Sequence, residues 1–177
     1  GLYDTTLHDL LPAASGLLDP STGVSDITRF VHHQATDRYD VLRSNPELLA
    51  TDQRIAASEF NLLMRVASRY FRLVVFDSGN GESADRWLRM IDSSSQLVIP
   101  TLANPESAES AALLLDALRG RDERSAELAD RAVVIVTQSE PSTRTAEQIA
   151  DGFRPLVRAV EIIPFDPALK AGPLRFD

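Results

Sequence analysis

The stretch Ala132-Val133-Val134-Ile135-Val136, running into Thr137-Gln138-Ser139, decides the fold. An apolar run this short, rich in β-branched residues and closed by polar ones, favours a strand over a buried helix. Because it is continuous rather than alternating, it suits a sheet covered by helices on both faces. Three other runs are equally short and bounded, Leu73-Val74-Val75-Phe76, Leu97-Val98-Ile99 and Val160-Glu161-Ile162-Ile163, and the first two of these are also continuous. Tyr39-Asp40-Val41-Leu42 is a weaker fifth strand candidate.

Segments with helical period lie between the runs. Ile55, Ala56, Phe60, Leu63, Val66, Ala67 and Tyr70 follow the i, i+3, i+4 rule, with Thr51 or Asp52 as N-cap. Ala84, Trp87, Leu88 and Ile91 mark a shorter helix. Asn104 and Pro105 open another as N-cap and first-turn proline; it continues through Ala108, Ala111, Ala112, Leu115 and Leu118 and stops at Gly120. A further helix covers Thr143 to Phe153, and Ile27, Phe30 and Val31 suggest an earlier one after Ser25. Strands alternating with helices predict an α/β fold with a mainly parallel sheet flanked by helices. Residues 1–38 read as an irregular, partly helical N-terminal segment of the same domain, and 39–177 as its α/β body.

Composition narrows the function classes. Of 177 residues, 44% are apolar and 25% charged, as in ordinary globular domains. The chain has no cysteine, which removes disulfides, thiolate zinc sites and cysteine nucleophiles together. Its 26 acidic and 18 basic residues leave a net charge of −8, which argues against unaided nucleic-acid binding. Lys170 is the sole lysine. No apolar stretch approaches the roughly 20 residues of a membrane span, so the expected setting is the cytoplasm, without direct membrane insertion.

In open parallel sheets, ligands bind beyond the carboxyl ends of the strands. The four runs end in Asp77-Ser78-Gly79-Asn80-Gly81, Thr101-Leu102-Ala103-Asn104-Pro105, Thr137-Gln138-Ser139 and Pro164-Phe165-Asp166, which would all share one edge. Asp77 is the sharpest residue: a carboxylate at the rim beside a glycine-rich turn suits either a Mg²⁺-linked group or a plain Asp-Ser-Gly turn. His32 and His33 read as a solvated helix face, with His33 and Asp37 as the one i, i+4 ligand-like pair and no third zinc ligand. His8 lies in an irregular region. No G-x-S-x-G elbow supports serine hydrolysis. Trp87, Leu88 and Ile91 read as core, and Asp52, Glu59, Glu82 and Asp85 as solvated carboxylates.

The run Leu73-Val74-Val75-Phe76-Asp77-Ser78-Gly79-Asn80-Gly81 resembles the Walker B and switch II segment of the ParA/MinD-like ATPases, the deviant Walker A group of P-loop proteins. Leu97 to Ser107 is similar to that family's next strand and helix start. Thr137 and Ile163-Pro164-Phe165-Asp166 look like its two base-contacting segments, and Ser44-Asn45-Pro46-Glu47 resembles the stretch before the Walker B helix. The likeness runs from about Tyr39 to Leu174 and is nearest to divergent actinobacterial MinD-like proteins, including those linked to specialised secretion.

This resemblance implies a P-loop NTPase-like fold, incomplete at its N-terminus, that dimerises with ATP and is reset by hydrolysis. Asp77 would hold Mg²⁺ through water, Gly79 and Gly81 would follow the γ-phosphate, and Thr137, Gln138, Pro164 and Phe165 would border the base. The departures are equally definite. No G-x-x-x-x-G-K-[ST] occurs, Lys170 follows no suitable strand and loop, and Thr137-Gln138 stands where the family usually has Asn. The family's Asp-rich segment is missing too, and no catalytic residue is assigned. Since the P-loop strand is central in that family, its lack points to a piece of a longer ATPase, or to a sheet that closes the gap or borrows a strand. The expectation is therefore an ATP- and Mg²⁺-dependent switch in the intact protein and no bound cofactor in this chain. Expected partners are a second copy or other oligomer, and a protein of a secretion or partitioning system. The alternative is a non-catalytic pseudo-ATPase scaffold or interaction domain.

Overall fold

The structure, a computed structural model, describes residues 5–43, 56–78, 85–141 and 143–170. They fall into two compact units, 1–93 and 94–177.

In the first unit, α1 (Leu7–Leu17), α2 (Val24–Ile27) and α3 (Ala57–Tyr70) build a core of Leu10, Ala14, Leu17, Ile27, Phe30 and Val66. Thr6 opens α1, and its N–H donates to Asp9 Oδ2 at 2.7 Å, satisfying a group the first helical turn leaves over. The expected spacing in α3 holds: Phe60 and Val66 are buried, and Leu63, Ala67 and Tyr70 are half-buried. Its N-cap is Ala56, whose N–H donates to Glu59 Oε2 at 2.7 Å; Thr51, Asp52 and Ile55 lie outside the described residues. Tyr70 Oη donates to the Leu17 carbonyl at 2.7 Å and fastens α3 to α1. Helix α4 (Asp85–Ser93) packs on α3 and buries Trp87, Met90 and Ile91, so Trp87 and Ile91 are core as expected.

Three readings change in this unit. The helix expected through Ile27, Phe30 and Val31 ends at Ile27, because His32–Gln34 becomes strand β1. Tyr39–Val41 is strand β2, but it pairs antiparallel with β1 in a hairpin and joins no parallel sheet. The turn between them places Arg38 at φ 59°, a left-handed conformation that costs a non-glycine residue about 1–2 kcal/mol. Leu73–Phe76, expected as a strand, lies outside every ladder among the described residues. Local preference extends a chain, but a strand also needs a neighbour to bond with.

The second unit is a three-stranded parallel sheet in the order β3 (Val98–Leu102), β4 (Val133–Thr137), β5 (Ala159–Ile163). Helices α5 (Pro105–Arg121) and α7 (Thr143–Phe153) pack on it, with α6 (Glu123–Asp130) against α5; α8 (Pro167–Lys170) is one short turn. Register aligns Ile99, Val134 and Val160, and then Thr101, Val136 and Ile162. Ile99, Thr101, Val134 and Val136 of this face are buried, as are Ala111, Leu115 and Leu118 of α5 and Ala146, Ala150 and Phe153 of α7. The opposite face is barer, with Val98, Leu102 and Ile163 exposed at 50%, 46% and 42%.

The start of α5 follows the sequence closely: Pro105 is in its first turn, and Asn104 Oδ1 accepts from Ser107 N–H at 2.8 Å. Its end does not. The helix passes Gly120 to Arg121, and Asp122 then caps the unexpected α6 by accepting from Ser125 N–H at 2.7 Å. One aspartate thus separates α5 from a second helix that the sequence reading, which stopped at Gly120, did not anticipate.

Candidate functional site

Each strand of the parallel sheet delivers its last residue and the following loop to the same edge, since parallel strands end together. That edge is cross-stitched. Ala103 N–H donates to the Thr137 carbonyl at 2.9 Å, and Gln138 N–H donates to the Ile163 carbonyl at 3.0 Å. Gln138 is buried, and its Oε1 accepts from Phe165 N–H at 2.9 Å. The side chain after β4 therefore fixes the loop after β5. Asp166 Oδ1 accepts from Ala168 N–H at 2.8 Å and starts α8.

Thr137, Gln138, Pro164 and Phe165 are thereby brought together, as the sequence placed them. Thr137 and Phe165 are half-buried and Pro164 is exposed, a mixture of apolar surface and polar main chain. Such a rim suits a flat apolar group with polar edges. The Gln138 oxygen accepts from Phe165, so that atom shapes the rim. Thr101 is buried, and its hydroxyl donates to the Leu102 carbonyl at 3.3 Å.

Asp77 belongs to the first unit, at the end of the extended Leu73–Phe76 run, and is exposed. Phe76 positions it, its ring meeting Phe60 of α3 edge-on at 5.5 Å and 79°. Gly79 and Gly81 lie outside the described residues. Mg²⁺ is normally held by one or two carboxylates together with substrate phosphates and waters, so Asp77 suits only an ion that arrives with a phosphate. Among the described residues no group of three or more His, Asp or Glu side chains could hold a metal.

The histidines resolve differently from expectation. His32 and His33 occupy a strand, where successive side chains take opposite faces, and not a helix face. His32 is buried, with Nε2 bonded to the Thr5 carbonyl at 2.9 Å. His33 Nδ1 lies 3.0 Å from Asp40 Oδ1, its cross-strand partner in the hairpin register; the pairing with Asp37 needed a helical turn that does not form here.

Sequence reading assigned no role to three other residues, Arg69, Asp122 and Asp19. Arg69 donates to the carbonyls of Leu18 and Thr22 at 2.8 and 3.2 Å, and its guanidinium lies 5.6 Å from the Tyr70 ring centre. It borders an open depression of about 650 Å³ with Asn61, Met64, Arg65 and Ser68, but those bonds make it a brace between α3 and the loop after α1. Asp122 is held below the ordinary carboxylate range by the Ser125 N–H and then the Ser125 hydroxyl; Asp19 is lowered in the same way by the Ser21 hydroxyl and N–H. Neither carboxylate has a sequence signal beyond the general turn and cap preference of aspartate.

No described helix is long and apolar enough to cross a membrane. Comparison with protein-family models, curated proteins and solved structures gave no match.

Proposed function

We propose that this chain carries the base-binding side of a MinD/ParA-like nucleotide switch, acting in the cytoplasm. One observation supports the reading above all: the Gln138–Phe165 hydrogen bond at the carboxyl edge of a parallel α/β sheet. The two segments that resemble the family's base contacts are adjacent there, at the edge where such sheets bind ligands. In this reading Thr137, Pro164 and Phe165 border the base, and Gln138 holds Phe165 in position. Asp77 would meet Mg²⁺ through water, the ion neutralising phosphate charge, and Gly79 and Gly81 would sense the γ-phosphate. In the intact switch, ATP would join two copies, with a protein of a secretion or partitioning system as a further partner. With no glycine-lysine loop in its sequence, the chain is expected to bind nucleotide weakly and to turn over no ATP.

The test is a titration of ¹⁵N-labelled chain with Mg²⁺-ATP, followed by amide shifts. Saturable shifts at Gln138 and Phe165 are expected. Shifts confined to other residues, or none at millimolar nucleotide, refute the reading. ATP hydrolysis by the purified chain that disappears in Asp77→Ala also refutes it, since that needs phosphate machinery this reading does not grant. A second reading, a non-catalytic scaffold, is favoured by the bare sheet face with Val98, Leu102 and Ile163. It predicts a silent titration.

A further inference from the structure

We draw no further inference here: the strongest candidate, the open depression on α3 of the first unit bordered by Asn61, Arg65, Ser68 and Arg69, carries nothing, because Arg69 is committed to the Leu18 and Thr22 carbonyls and nothing in the structure shows what covers the rest.

Discussion

Gln138→Ala probes the carboxyl edge at its most informative point. The substitution removes the oxygen that accepts from Phe165 N–H at 2.9 Å. Gln138 is 7% exposed, so water has little access to replace it. A hydrogen bond contributes about 0.5–1.5 kcal/mol net, and leaving its partner unsatisfied costs about 1–3 kcal/mol. The central expectation is therefore a loss of about 1–2 kcal/mol, felt mainly by the loop after β5. Hydrogen exchange measured residue by residue reads this directly, since 1–2 kcal/mol corresponds to a factor of about 5–30. Phe165 N–H should exchange faster by about that factor. Ala103 N–H should change little, because its acceptor is the Thr137 main-chain carbonyl. Gln138→Glu keeps an acceptor at the same reach and should restore most of the protection. Unchanged exchange at Phe165 in the alanine variant would mean that the bond does not organise the loop. The structural basis for a pre-formed base rim would then be lost.

Three further outcomes follow from local geometry. Asn104→Ala should destabilise the second unit by about 1 kcal/mol through loss of the Ser107 cap, measured by urea unfolding, while Asn104→Asp should keep the cap. Arg38→Gly should stabilise the hairpin by up to about 1 kcal/mol, since glycine occupies the left-handed region without steric cost; greater exchange protection of the residue 38 main-chain N–H, which in the unaltered chain donates to the Gln34 carbonyl at 2.8 Å, reports it. Asp19 and Asp122 are both held below the ordinary aspartate value of 3.8, so the unfolded chain binds more protons as pH falls below that value. Their contribution to stability is present above pH 3.8 and is lost as pH falls through the lower folded values. Asp122→Asn should flatten the acid side of a stability–pH profile, and an unchanged slope refutes the assignment.

Much of the second unit was legible one segment at a time. The β-branched run before Thr137, the Asn104-Pro105 start and the Thr143–Phe153 periodicity each carry their cause within a few residues. Caps and helical faces are local physics, and the structure places all three as read. Asp122 was less legible: a helix continuing past Gly120 and a new helix after one capping residue share the same periodicity. Only the aspartate's hydrogen bond to Ser125 separates them. The histidines were misread because a short polar stretch reads equally as helix or strand. The cross-strand partner Asp40, seven residues away, settles it.

By itself, then, the sequence determined the long helices α3, α5 and α7, the apolar runs of the parallel sheet, and which polar residues follow its strands. These outcomes depend on side-chain shape, backbone preference and the spacing of apolar positions. Tertiary structure decided which extended segments became strands of a sheet. Val98–Leu102, Val133–Thr137 and Ala159–Ile163 pair in parallel, Tyr39–Val41 turns back on His32–Gln34, and Leu73–Phe76 stays outside every ladder among the described residues. It also turned Gln138 into the brace for Phe165. The physical reason is that a strand's hydrogen bonds, unlike a helix's, close on residues distant in sequence, so no local pattern can supply the partner.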